Sequence, residues 1–178
     1  MLLSDALKEP SKVVEMLQSG GTIIYPTDTI YGIGCSAHNA KAVEKIRFLK
    51  KRESKPFSIW APSVEWVRKN CDVEEKYLRM LPGPVTLIVK LKNAVANNVC
   101  DDTIGVRIPD HPFHTVVHQL GVPIVTTSVN VSGEKHVTNI EQIPTRFKEV
   151  DLIINAGTIC NPPSKIVNTI TGEILCRQ

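Results

Sequence analysis

The sequence predicts an α/β layer fold, a mixed and partly parallel sheet with flanking helices. Three observations carry this. Short helical and extended patterns alternate along the whole chain, with no internal repeat and no low-complexity linker. The run 85–91 is the most β-like in the chain, rich in β-branched residues, and 124–127 reads as a strand of the buried type. Two extended pieces around Thr171-Gly172 make a terminal hairpin, which an all-parallel sheet would lack.

Taken in order, Val13, Met16 and Leu17 lie at i, i+3 and i+4 and predict a helix stopped by Gly20-Gly21. Residues 22–25 read as a strand ended by Pro26. Asn39 caps a second helix whose Ala42, Val43, Ile46 and Leu49 face inward. Residues 57–60 are extended, Ser63 caps a short helix to Val67, and 73–81 is helical up to Pro82-Gly83-Pro84. Strands follow over 85–91 and 104–108, and Pro112 opens a helix to Leu120. The remainder is a strand over 124–127, a helix over 138–147, a strand over 152–154, and a hairpin of 166–170 with 173–177.

Length and composition fit one globular domain over 1–178. The 178 residues are 42% hydrophobic and 22% charged, which supports a core without disulfide staples. No run reaches the roughly 18 apolar residues of a membrane span, and the first residues are not a signal peptide. The five cysteines are odd in number, scattered and without a CxxC, so they read as reduced thiols of a cytoplasmic protein. Net charge is only +3, but residues 41–55 hold seven basic and two acidic side chains, a local +5 that leaves −2 for the rest. Local positive charge on a near-neutral chain suggests an anion site. A solvated helix end is the alternative reading of 50–52, since cations suit a helix C-terminus.

Phosphate-loop and dinucleotide fingerprints are absent, and Gly32-Ile33-Gly34 lacks a third glycine. Any nucleotide must therefore be held by side chains and loop amides. Four polar groups stand out at expected strand ends: residues 25–32, 50–52, 104–109 and 126–133. Arg107 sits in the otherwise apolar Ile104-Gly105-Val106-Arg107-Ile108 and requires an anion, either a ligand or an internal Asp or Glu. His111, His114 and His118 share a helical spacing, but no nearby Cys or carboxylate completes a tetrahedral zinc set. Cys35 and His38 lack the orienting third group of a nucleophile pair.

Together these segments resemble the YrdC family of threonylcarbamoyl-AMP synthases, in family order from about residue 22 to 177. The resemblance rests on Tyr25-Pro26-Thr27-Asp28-Thr29-Ile30-Tyr31-Gly32-Ile33-Gly34, the K-x-R of Lys50 and Arg52, and Pro82-Gly83-Pro84-Val85-Thr86. It continues through Ile104-Gly105-Val106-Arg107-Ile108-Pro109, the S-x-N of Ser128 and Asn130, and Pro163-Ser164. It implies a twisted sheet around a deep positively charged cavity, without the additional C-terminal domain of longer relatives. It also implies a nucleotidyltransferase that makes threonylcarbamoyl-AMP and pyrophosphate from L-threonine, bicarbonate or CO2, and ATP. The product would pass to a tRNA threonylcarbamoyl transferase complex for t6A modification.

By family position Lys50 and Arg52 are catalytic, and Lys50, Arg52, Lys55, Thr103, Ser128, Asn130 and Arg177 bind ATP. Thr27, Arg107, Thr126 and Ser164 would bind threonine, while Mg2+ is held through the ATP phosphates rather than by a resident site. Three departures stand out. Two residues separate Arg52 from Lys55-Pro56 where the family has three, so either Lys51 or Arg52 can fill the second basic position. Trp60 stands where some relatives carry histidine, and Lys165 follows Ser164 where threonine is usual. Competing readings are an RNA-binding module of the same fold, disfavoured by 5% aromatic content, and a paralogue without the synthase activity.

Overall fold

The computed structural model describes every residue except Ala94, Asn97, Asp101 and 176–178. Two short helices, α1 (Leu3–Lys8) and α2 (Pro10–Gln18), lead into β1 (Ile23–Tyr25) and β2 (Gly32–Gly34). Then come α3 (Ala40–Lys50), β3 (Ser58–Trp60), α4 (Val64–Asn70), β4 (Cys71–Asp72), α5 (Glu75–Leu78), β5 (Val85–Leu91) and β6 (Thr103–Arg107). The chain continues through α6 (His114–Leu120), β7 (Ile124–Ser128), two 3-10 turns, β8 (Leu152–Ile153), β9 (Lys165–Asn168) and β10 (Ile174–Leu175). The sheet order is β10-β9-β5-β6-β3-β7-β2-β1-β8, with β4 pairing an end of β5. It is mixed, since β1–β8, β3–β6 and β5–β9 run parallel and the other pairs antiparallel.

The local signals act as expected at two caps. The Asn39 side chain accepts from the Ala42 amide at 3.0 Å, and the Ser63 hydroxyl accepts from the Trp66 amide at 3.0 Å. Elsewhere the sequence reading needs correction. The helix expected over 138–147 is two 3-10 turns, Ile140–Gln142 and Thr145–Glu149, because Pro144 between them lacks a donor and obstructs a continuous helix. The helix expected over 73–81 contracts to Glu75–Leu78. Gly32-Ile33-Gly34, to which the sequence pattern assigned no element, is a strand. A β-carbon on Gly34 would lie 2.0 Å from the Val125 carbonyl oxygen, and one on Gly32 would meet the Tyr25 ring at 3.1 Å. Those two glycines exist for close packing.

Strand alternation divides the core into two layers. Ile24, Ile33, Ile59, Leu87, Val89 and Val106 pack toward α3 and α4 on one face. Ile23, Tyr25, Trp60 and Ile124 pack on the other face against α1, α2 and α6, through Ala6, Val13, Leu17, Phe113 and Val117. This second helix layer covers only part of its face. Where it stops, the outward positions of the central strands are small or polar: Ser58, Thr86, Gly105 and Thr126, with Arg107 beside them. That uncovered stretch of sheet is the floor of a cavity.

Candidate functional site

The cavity has a volume of about 40 Å³, room for about three waters or a small polar molecule. Ser58, Thr86, Arg107, Thr126 and Gly32 line it from the sheet, Ser164 from just before β9, and Thr27 and Ile30 from the β1–β2 connection. All four residues assigned to threonine by family position thus border one space. Register explains the convergence, because Ser58 pairs with both Gly105 and Thr126 across β3. A β-carbon on Gly105 would lie 2.4 Å from the Ser58 hydroxyl, so glycine there keeps the floor low. The Thr86 and Ser164 hydroxyls bond each other at 2.9 Å.

Thr27 is committed locally. Its hydroxyl donates to the Ile30 carbonyl at 2.7 Å and accepts from the Thr29 and Ile30 amides at 3.1 and 3.2 Å. It therefore shapes the wall by closing a turn. Arg107 has the internal carboxylate that its apolar strand demanded. Its Nη2 donates to Asp28 Oδ1 at 2.5 Å, with both side chains only 9% exposed. Thr29 Oγ1 lies 3.4 and 3.5 Å from the two terminal nitrogens. Burial pushes the Asp28 carboxyl upward, opposed chiefly by the Arg107 guanidinium.

One pleat along β7 from Thr126 lies a second polar cluster. Lys50 ends α3, but it is no solvated helix end, for it is 2% exposed. Its Nζ donates to the Ser128 carbonyl, to the Asn130 carbonyl at 2.8 Å and to Asn130 Oδ1 at 3.2 Å. Three oxygen acceptors match the three N–H donors of an ammonium. Burial, with the Arg52 charge as a second cause, lowers its pKa from 10.5 to about 7. The Ser128 hydroxyl donates to Asn130 Oδ1 at 2.5 Å, which fixes the S-x-N turn.

Residues 51–56 wrap around Arg47, whose Nη1 donates to the carbonyls of Arg52, Glu53 and Lys55 at 3.1–3.2 Å. Arg52 donates to the Lys55 and Pro56 carbonyls and stacks over Phe57, 4.8 Å from the ring centre. Lys55 is exposed, and Thr103 starts β6 on the same face as Gly105 and Arg107. Arg177 lies outside the described residues. Of the four polar groups, three do flank strands, whereas 50–52 terminates a helix.

The histidine trio borders a separate groove with Asp110 and three prolines. The Trp60 indole donates to His114 Nδ1 at 3.0 Å, and the Phe113 amide donates to His111 Nδ1 at 3.2 Å. Among the described residues no three His, Cys, Asp or Glu side chains form a group that could hold a metal ion. Cys35 is buried and its thiol pKa is pushed far up by that burial, the reverse of an activated nucleophile.

Sequence reasoning gave no role to Asp28, Thr86, Ser58 or Arg47. Asp28 had a signal, as the lone carboxylate in residues 22–34 of a chain whose buried Arg107 required one.

Comparison with known families matches residues 15–178 to the Sua5/YciO/YrdC family, described as "Telomere recombination". The chain belongs to this family. A Methanocaldococcus jannaschii member, provisionally named threonylcarbamoyl-AMP synthase, is 37% identical across 94% of this chain and 86% of its own. The threonylcarbamoyl-AMP synthase of Aliivibrio fischeri is 30% identical across 95% of this chain and 98% of its own. Sua5 of P. abyssi, solved in complex with L-threonine, matches with a TM-score of 0.84 and 24% identity over 96% of this chain. This chain spans about half of that protein, 53%, and the likeness is one of fold. No helix among the described residues is long and apolar enough to cross a membrane.

Proposed function

We propose that this protein synthesises threonylcarbamoyl-AMP from L-threonine, bicarbonate or CO2, and ATP, in the cytoplasm, in support of tRNA t6A modification. The observation that carries the reading is the pairing of two adjoining buried cations in a Sua5/YciO/YrdC chain. One lines a small polar cavity, and the other ends α3, where the basic 51–55 loop begins.

In this reading threonine enters the small cavity and its carboxylate meets the Arg107 guanidinium, a planar fork suited to bidentate contact. The ammonium gives up a proton to solvent, and the free amine adds to CO2 with loss of a second proton to give the carbamate. A carbamate oxygen attacks the α-phosphorus of ATP as the bond to the β-phosphate breaks and pyrophosphate leaves. Lys50, Arg52 and Lys55 draw the phosphates toward the loop, with Ser128 and Asn130 beside them and Thr103 on the nucleotide side. Mg2+ arrives on the nucleotide as part of the substrate, which is common where few protein carboxylates are available. Catalysis is positioning and charge stabilisation without a covalent enzyme intermediate, so the enzyme is a nucleotidyltransferase. A transferase acting on tRNA consumes the product.

The test is pyrophosphate release from purified protein. Release is expected only when ATP, L-threonine, bicarbonate and Mg2+ are all present. Release that ignores threonine would refute the reading.

A further inference from the structure

Two of the buried cations, Arg107 and Lys50, are accommodated in different ways, one by a carboxylate and one by neutral oxygens, and the difference gives Asp28 a role. Its Oδ1 accepts from Arg107 Nη2 and its Oδ2 accepts from the Asp110 amide at 3.3 Å. Its backbone carbonyl accepts from Asn161 Nδ2 at 2.9 Å, tying it to the segment that leads to Ser164. Asp28 is thereby fixed from three sides, on the β1–β2 connection, on the turn after β6 and on the 155–164 segment. It is absent from the cavity lining, so it acts on a ligand only through Arg107.

We propose that Asp28 is the resident counter-ion of the cavity, orienting Arg107 and cancelling its charge so that the site takes a zwitterionic amino acid and refuses inorganic anions. The proposal rests on the cavity being the threonine site. A guanidinium paired with a carboxylate can still donate hydrogen bonds to a second carboxylate, but the pair has no net charge with which to attract phosphate. An α-amino acid brings its own ammonium and asks for no net charge. ATP and pyrophosphate bring several negative charges and gain nothing here, so they sort to the Lys50 side, where among the described residues no carboxylate pairs with the lysine. This matters in an enzyme surrounded by phosphate and releasing pyrophosphate, since an uncompensated arginine in the amino-acid site would be blocked by both.

Asp28→Asn keeps the shape and removes the charge. Titration calorimetry without ATP is expected to show threonine affinity reduced about 10- to 100-fold in Asp28→Asn, the loss of one charge-assisted contact. Inorganic phosphate should bind this variant in competition with threonine and should not bind the wild type. Asp28→Glu retains the charge but displaces it by one methylene. It should exclude phosphate while losing part of the threonine affinity. Wild-type threonine affinity in either variant would overturn the orienting role, and phosphate refused by a folded Asp28→Asn would overturn the counter-ion role. If Asp28→Asn does not fold, Asp28→Glu decides, for phosphate binding to it or unchanged threonine affinity sinks the proposal. Failure of wild-type protein to bind threonine at all would instead strike the functional reading, and the phosphate comparison would still decide the role of Asp28.

Discussion

Of the three buried cations among the described residues, Arg47, Lys50 and Arg107, the last two belong to neighbouring polar clusters of the candidate site, and they are stabilised by opposite means. Arg107 faces a carboxylate at 2.5 Å. Lys50 faces two backbone carbonyls and an amide oxygen, which offer dipoles and no charge. An ion pair is settled before a ligand arrives, whereas a caged ammonium keeps an unspent charge in a low-dielectric setting. The lysine bears the cost as a pKa lowered to about 7. The first arrangement suits a small zwitterion and the second a polyanion that repays the burial on binding. On the proposed reading the two halves of the site are sorted by counter-charge as well as by shape.

The largest effect should come from removing the unspent charge. Lys50→Ala is expected to lower the rate of pyrophosphate release at least 10- to 100-fold, one to two decades per lost charge-assisted contact. Folding should survive, because the variant also removes a costly buried cation. Steady-state kinetics with a melting curve check both halves, and near-normal turnover would collapse the distinction between the two clusters.

Arg107→Lys should act on the other half alone. Lysine keeps the charge opposite Asp28 but loses the planar fork, so threonine binding should weaken by about 1–3 kcal/mol. Affinity for a non-hydrolysable ATP analogue without threonine should change much less. Selective loss of the analogue would invert the assignment, and a strongly destabilised variant with both affinities intact would make Arg107–Asp28 purely structural.

A titration sharpens the contrast further. Between about pH 7 and 10.5 the unfolded chain holds a proton on Lys50 that the folded chain has released. The lysine's contribution to stability is therefore present above that window and lost as pH falls through about 7. A bound triphosphate favours the ammonium, so nucleotide binding at about pH 8 should take up close to one proton and far less at about pH 6. Calorimetry in buffers of different ionisation enthalpy reads the uptake, and Lys50→Met should abolish it. Zero uptake at the higher pH would mean the lysine is already charged or never meets phosphate.

These contrasts were only partly legible in the sequence. Local rules placed β5 over Val85–Leu91 and the α3 start at Asn39, because a β-branched run and an Asx cap act within a few residues. The convergence of Thr27, Arg107, Thr126 and Ser164 came from motif order, and strand register supplies its physical reason. Lys50 remained ambiguous because its burial depends on the 128–132 segment, about eighty residues away, folding back so that the Ser132 amide donates to the Lys50 carbonyl at 3.1 Å. The partner of Arg107 was equally non-local, 79 residues distant. Strand β2 was missed because its glycines weaken β propensity and are explained only by the Tyr25 ring and Val125 carbonyl that crowd them.

The smallest expected effect settles a point of register on the Lys50 side. Two residues, Lys51 and Arg52, compete for the second basic position, and they differ in structure. Lys51 is exposed and closes α3 in the left-handed region, with φ 49° and ψ 47°, a conformation that costs a side-chain-bearing residue roughly 1 kcal/mol or more. Arg52 is half-buried, its guanidinium held by the Lys55 and Pro56 carbonyls and by the Phe57 ring. On the proposed reading the fixed Arg52 is the one that meets phosphate, while Lys51 has its backbone conformation as its structural task. Lys51→Gly should therefore raise stability by about 0.5–1 kcal/mol, set by relief of the left-handed strain against the extra chain entropy of glycine. Its KM for ATP should stay within about twofold of wild type. Arg52→Ala should lose about tenfold in pyrophosphate release, the lower bound for a charge-assisted contact. Chemical denaturation and initial rates on both variants decide the matter: a Lys51→Gly protein that is more stable but inactive, beside an active Arg52→Ala, would move the phosphate-binding register back by one residue.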